Sequence, residues 1–295
     1  MSKVAATAAQ LSRKRTVKKV MMQAALQGAL ILTALVYLYF FVWMLATALK
    51  PHAEFTENAS TIFVKSPQWS NFIRVTQEVP FFRYVLNTLM LVFGTVVGTV
   101  ICSSLVAFSF AKLRWPGKKA AFLVLLSTMM ISAQVLQIPT FVLFTKLGWR
   151  GTYLPIIVPT FFGAFGGGAL NIFLMREYYK GISDELMSAA KIDGCGYFNT
   201  WRLIVLPLSV PVTVTITILT FMGTWNDFLT PLLYIDNPEM YPLSLGLRAF
   251  KQQYQADWAM MMAGAVLSML PTLIIYFIFQ KYFMEGISIS SGIKG

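Results

Sequence analysis

The chain has 295 residues, of which 57% are hydrophobic, 15% aromatic and only 12% charged, with a mean hydropathy of +0.64. The charged share is about half that of a soluble domain, too little to cover a water-facing surface, so a soluble globular protein is excluded. The net charge of +12 would suit a nucleic-acid binder, but its distribution along the chain argues for a membrane topology signal and against a nucleic-acid partner.

Six stretches carry no Asp, Glu, Lys, Arg or His: 28–49, 84–111, 120–145, 151–175, 203–226 and 258–280. Each reaches the length of about 20 apolar residues that crosses bilayer hydrocarbon. Backbone polar groups in lipid must pair within their own segment, so the expectation is an all-α integral membrane protein with six transmembrane helices. Continuous apolar runs, rather than alternation, exclude a β-barrel. The expected divisions are a basic N-terminal arm, 1–27, a six-helix domain, 28–283, containing a polar loop, 176–206, and a tail, 284–295.

The arm contains Arg13, Lys14, Arg15, Lys18 and Lys19, readable as a topology signal or as an anionic-lipid site. Segment one follows; Leu49-Lys50-Pro51 offers no small-x-small cleavage site, so the segment is expected to remain as an anchor. Beyond it lie a loop, 50–83, and the single histidine, His52. Segment two contains Gly94-x-x-x-Gly98, and segment four places Gly163 and Gly167 at the same spacing. Both predict close helix approach. Gln134 and Gln137 stand before Pro139 in segment three, and Pro139, Pro155, Pro159 and Pro271 predict kinks inside apolar runs. Assigning the ends alternately puts the arm, loop 112–119, loop 176–202 and the tail on one side, with sixteen of the 24 Lys and Arg. By the positive-inside rule that side is cytoplasmic, with both termini. Trp43, Trp149, Tyr153, Trp258 and Tyr282 fall near predicted span ends, as interfacial aromatics do.

Segment five carries Thr213, Thr217, Thr220 and Thr224 on one helical face that Asp227 nearly continues, with Asn226 beside it. Those hydroxyls, with Gln134 and Gln137, could line a solute path, or they could satisfy local backbone and pack between helices. The loop after segment five carries Asp236, Asn237, Glu239, Tyr241, Tyr254 and Asp257, a mix of aromatic and polar groups readable as a solvated loop.

No His/Cys/carboxylate cluster suggests a metal site, no cofactor motif is present, and no G-x-x-x-x-G-K-S/T loop occurs for ATP. Ion-coupled machines carry ionisable groups within their spans; here Asp227, at a span end, comes nearest. The chain is therefore expected not to be an enzyme, and uphill movement of a solute needs energy from another subunit.

The most patterned polar stretch is 183–206, SDELMSAAKIDGCGYFNTWRLIVL. Ser183 is placed to N-cap a helix with Asp184 and Glu185 in its first turn. Leu186 and Ala190 fall at i, i+4 on one face, and Gly194 can end the helix in the left-handed conformation. A second short helix is expected to present Tyr197, Trp201, Ile204 and Val205 on one side until Pro207 opens segment five. The small Ala189-Ala190 pair would let a partner approach the backbone closely.

This stretch resembles the loop that marks membrane subunits of binding-protein-dependent ABC importers: E-A-A, three residues, Gly, nine residues, I-x-L-P. Ser188-Ala189-Ala190, Gly194, Ile204, Leu206 and Pro207 hold every spacing, with Ser188 where the family has Glu and Glu185 one turn earlier. Residues 108–117, FSFAKLRWPG, resemble the A-Y-A-F-A-R-L-x-F-x-G run of the maltose-type carbohydrate branch. Trp225-Asn226-Asp227-Phe228 with Pro231-Leu232 resembles its W-N-x-F-x-x-P-L, and Gln280 to Phe283, Gly286 and Gly292 to Gly295 resemble its tail, that of the smaller six-helix partner. About 85% of the chain is covered.

The resemblance implies a type I ABC importer permease in a prokaryotic cytoplasmic membrane, moving a carbohydrate by alternating access. It implies a second permease subunit, a cytoplasmic ABC ATPase dimer and an extracytoplasmic sugar-binding protein as partners, and coupling to the ATPase through Glu185, Ser188, Ala189, Ala190, Asp193, Gly194 and Pro207. It also suggests that the 231–257 loop is the docking surface for the sugar-binding protein; the residues themselves nominate Gln134, Gln137, Thr213, Thr217, Thr220, Thr224, Asn226 and Asp227 for the path. A secondary transporter, an ABC permease for a non-sugar solute and a membrane scaffold are the alternatives.

Overall fold

The computed structural model describes residues 2–51, 54, 61–164, 167–248 and 257–290, and side chains between 18 and 281. His52, Tyr254, Lys294, the side chain of Tyr282 and those of the basic run 13–15 lie outside these. The described residues hold helices and no strand. In chain order the α-helices are α1 (Ser2–Leu49), α2 (Ser70–Glu78), α3 (Phe81–Lys112), α4 (Lys118–Thr128), α5 (Ala133–Lys146), α6 (Leu154–Ile157), α7 (Gly168–Lys180), α8 (Asp184–Ile192), α9 (Tyr197–Thr200), α10 (Leu206–Leu208), α11 (Val210–Asn226), α12 (Leu229–Tyr234), α13 (Leu243–Gly246) and α14 (Trp258–Ser290).

All six apolar segments are helical, but only segments one, two and six are single helices long and apolar enough to cross a membrane: Lys18–Leu49 of α1, α3, and Trp258–Lys281 of α14. Segment three is α4 and α5 bent by 95°, and segment five is the run 197–208 and α11 bent by 81°. Each bent pair counted as one span gives five. The break in segment three falls at Met129–Ser132, so the expected kink at Pro139 is not the turning point; Pro139 sits inside α5.

Segment four departs further from expectation. Its residues form α6, a 3-10 turn (Val158–Phe162) and α7. Gly163 and Gly167 take φ of +68° and +75°, a left-handed conformation that costs any other L-residue about 1–2 kcal/mol. They break the helix rather than offering a packing face along it. Pro155 and Pro159 occupy first-turn positions, where a missing N–H costs little. Gly94 and Gly98 do serve close approach: a Cβ on Gly94 would stand 2.8 Å from Ile157 Cδ1, and one on Gly98 would stand 2.2 Å from Thr160 Oγ1.

The chain divides into two compact units. In the first, residues 1–72 with 257–266, the C-terminal end of α1 is pinned by polar contacts. Asn71 is 2% exposed, and its Nδ2 donates to Ala48 O at 2.9 Å and to Lys50 O at 3.0 Å; Lys50 Nζ donates to Thr61 O at 2.6 Å. The body of α1, from Val20 to Phe40, exposes Leu, Ile and aromatic side chains, as a lipid-facing helix does.

The second unit, residues 73–256 with 267–295, is built around α3. Toward the C-terminal end of α3, Ala107 and Phe108 pack with Met175, Tyr179, Trp201, Val205, Val212 and Ile216. Nearby, Phe110, Phe122 and Ile172 form a second cluster. Toward the N-terminal end, Leu91 packs with Ile156 and Ile235. There α3 also anchors the stretch after segment five: Asn87 Nδ2 donates to Glu239 O (2.8 Å) and Tyr241 O (3.0 Å), Arg83 pairs with Glu239 at 3.0 Å, and Leu243 N donates to Thr88 Oγ1. Arg150 pairs with Asp236. The segment read as docking surface or solvated loop is thus tied down over residues 236–243.

Candidate functional site

Two places in the second unit carry polar chemistry, one at the C-terminal end of α3 and one beside its middle. The first is the loop from 183 to 208. Ser183 Oγ accepts from Glu185 N at 3.1 Å, with Asp184 and Glu185 in the first turn of α8. The helix ends as its sequence requires: Gly194 has φ +79°, and Asp193 N and Cys195 N donate back to Ala189 O and Ala190 O.

Lys112, at the end of α3, is held against this helix. Its side chain is 6% exposed, and Nζ donates to Ile182 O at 2.6 Å and to Asp184 Oδ1 at 2.7 Å. The Lys112 hydrogen bond and charge hold the Asp184 carboxyl below the ordinary carboxylate range. Nothing in the sequence pattern singled out this tie, although Lys112 belongs to the 108–117 run.

The faces of α8 are not as the i, i+4 pairing suggested. Ala190 is 2% exposed and packs inward, whereas Leu186 is half-exposed. Ala189 is exposed with Ser188 and Glu185, and Ser188 Oγ donates to Asp184 O. The outward apolar groups are Leu186, Ile192, Tyr197 and Phe198. Of the second helix's expected face, Trp201 and Val205 are buried in the core cluster while Tyr197 points out.

Pro207 sits in the first turn of α10, and the bend into α11 comes two residues later, at Ser209. Pro207 has no N–H to donate to a regular turn. Trp201–Val205, just before it, is a π turn in which Leu206 N donates to Trp201 O, a register change frequent at functional sites. Beneath α8 is a cavity of about 500 Å³ lined by three cations, Lys112, Arg114 and Lys191, with Ser188, Cys195 and Thr200.

The second place is a cavity of about 410 Å³, within the range of ~300–1,000 Å³ typical of small-molecule sites. Five threonines line it: Thr95 from α3, Thr160 from the 3-10 turn, Thr220 and Thr224 from α11, and Thr230 from α12; among the described residues Asp227 is its only ionisable lining group. Thr95 Oγ1 and Thr224 Oγ1 are hydrogen-bonded at 3.0 Å, a bond in which either hydroxyl can donate. Asp227 Oδ1 accepts from Thr230 N at 3.1 Å, and Asp227 O accepts from Ser244 Oγ at 2.6 Å.

Of the residues expected on a solute path, the structure brings Thr220, Thr224 and Asp227 to this cavity. Thr213 and Thr217 lie farther along α11, off its lining, and Thr213 Oγ1 is buried without a partner. Gln134 and Gln137 are on α5, whose lining residue is Ala133; Ser132 Oγ donates to Gln134 Oε1. Asn226 faces away and donates to Met222 O. Thr95, Thr160 and Thr230 carried no periodic signal, because each comes from a different element; Thr95 could have been noticed only as the neighbour of Gly94.

A family model described as "Binding-protein-dependent transport system inner membrane component" matches residues 99–289. YurM of Bacillus subtilis, whose name places it among ABC transporter permeases, is 32% identical over 87% of this chain and 84% of its own. The arabinooligosaccharides transport system permease protein AraQ of the same organism is 30% identical over 89% and 92%. A solved bacterial ABC transporter involved in the import of the acidic polysaccharide alginate has a chain of the same fold, with a TM-score of 0.76, 24% identity and coverage of 89% and 95%.

Proposed function

Because this chain belongs to the family of inner membrane components of binding-protein-dependent transport systems, we propose that it is the permease subunit of an ATP-driven importer that moves a carbohydrate by alternating access. It is a multi-pass protein of the inner membrane. The observation that carries the reading is the 183–208 loop: an N-capped helix with an outward apolar face, ended by left-handed Gly194 and tied to α3 through Lys112.

ATP hydrolysis resides in a separate ATPase dimer on the cytoplasmic side, onto which this loop docks. Glu185, Ser188 and Ala189 are exposed on the docking helix, and Ala190, Asp193, Gly194 and Pro207 fix its shape and its connection to α11. A movement of α8 reaches α3 through the Lys112 tie and α11 through Trp201 and Val205. Both α3 and α11 contribute hydroxyls to the Thr95–Asp227 cavity, which is the part of the solute path this subunit supplies. A second permease completes the path, and a sugar-binding protein delivers to it from outside. The carbohydrate assignment follows the arabinooligosaccharide relative, AraQ.

The test is extraction with native partners, identification of the co-purifying chains and reconstitution in vesicles. Solute uptake that requires ATP and a P-loop ATPase subunit is expected. Uptake by the chain alone, driven by a proton or sodium gradient without ATP, would establish a secondary transporter instead.

A further inference from the structure

Two features of the threonine-lined cavity bear on the charge and hydrogen-bonding of its ligand. Thr220 is 4% exposed, lines the cavity, and its hydroxyl has no hydrogen-bond partner. A buried hydroxyl left unpaired costs free energy, which a ligand able both to donate and to accept would return. The second feature is charge. Among the described residues Asp227 makes no ion pair, its Oδ2 has no protein partner, and no Lys, Arg or His lines the cavity.

From these we infer that the cavity is a site for an uncharged, polyhydroxylated solute and that Asp227 is its charge filter. A neutral sugar hydroxyl can donate to Asp227 Oδ2 while its neighbours exchange hydrogen bonds with Thr220 and the Thr95–Thr224 pair. A sugar phosphate or uronate would bring a second negative charge to a carboxylate that no cation among the described lining residues offsets. The cavity under α8, with Lys112, Arg114 and Lys191, shows that the same chain places cations where it needs them. The inference rests on this cavity belonging to the solute path.

Gly223 supplies the reporter position: it lines the cavity, and a Cβ there meets nothing within 4 Å. In the assembled transporter, with Cys102→Ser and Cys195→Ser removing the free thiols, Gly223→Cys is modified with cationic trimethylammonium-ethyl methanethiosulfonate or with anionic sulfonatoethyl methanethiosulfonate. Each rate is normalised to that of a free thiol. The cationic reagent should be favoured by about tenfold or more, as a single-sign cleft focuses counter-ions, and the preference should collapse toward unity in Asp227→Asn. A normalised ratio near one, or a preference that survives Asp227→Asn, overturns the filter. Labelling that is charge-selective yet equal in the nucleotide-free and ATP-bound states upholds the filter and overturns the path reading. No labelling by either reagent in any state overturns both.

Discussion

The two cavities along α3, one beside its middle and one at its C-terminal end, differ in what they are made of. One is lined by five threonine hydroxyls and a single carboxylate; the other is lined by three cations and sits against a helix that turns exposed apolar and acidic side chains outward. The first offers many weak, interchangeable hydrogen bonds, suited to a solute that must be held and then released. The second surrounds a rigid element whose hydrogen bonds to Lys112 and whose left-handed stop hold one shape. On the proposed function, a site that must let go and a lever that must not yield call for different side chains, and α3 contributes Thr95 to one and Lys112 to the other.

The largest expected effect tests the frame common to the two. Gly98→Val would place a Cβ 2.2 Å from Thr160 Oγ1 and 2.7 Å from the Phe161 ring. Overpacking of this kind costs about 1–3 kcal/mol or more, and the purified protein should lose several degrees of thermal midpoint along with transport. Next comes the lever. Gly194→Val finds open space but the wrong backbone, a strain of about 1–2 kcal/mol; ATP hydrolysis should persist in the complex while uptake falls. Full uptake in that variant would show that the 183–208 loop does not need its left-handed stop for coupling.

Lys112→Met removes a nearly buried donor from Ile182 O, a charge-assisted bond worth about 1.5–3 kcal/mol, and should uncouple the transporter without altering the Thr95–Asp227 cavity. Asp184→Asn, at a fully exposed partner, should cost far less. Because Asp184 titrates below its ordinary value of about 3.9, its contribution is complete above that value and is lost as pH falls through the lower folded one. Thermal scans at pH 5 and pH 8 should therefore show no difference traceable to this pair; one that Asp184→Asn abolishes would contradict the geometry.

Thr224→Val and Thr95→Val each break one hydroxyl pair, worth about 0.5–1.5 kcal/mol. A double-mutant cycle on uptake rate should show coupling between them. The smallest effect belongs to Thr213→Val. Its hydroxyl is buried, unpaired and away from the cavity, so stability should hold or rise slightly, since an isosteric apolar group removes an unmet demand. Uptake lost in Thr213→Val as in Thr224→Val would extend the path along all of α11.

The two pairs of glycines show where sequence pattern stops being informative. Gly94 and Gly98 share their spacing with Gly163 and Gly167, yet the first pair lies on an unbroken helix and admits Ile157 and Thr160, while the second sits at left-handed turns that end one helix and begin another. Spacing specifies a shared face only if both residues lie within one helix, whereas Gly163 ends the 3-10 turn and Gly167 caps the start of α7. The i, i+4 pairing of Leu186 with Ala190 failed in a similar way: the two are neighbours on α8, but the boundary between its packed and open sides runs between them.

The apolar segments, the N-cap at Ser183, the stop at Gly194 and the spacing from Ser188 to Pro207 were legible in the sequence alone. Each depends on composition or on hydrogen bonds spanning four or five residues. The breaks within segments three, four and five, the inward turn of Ala190, the Lys112 tie and the meeting of Thr95, Thr160, Thr224 and Asp227 were decided by tertiary structure. A cavity is what remains between elements once they pack, and its lining comes from residues more than a hundred positions apart that no local period connects.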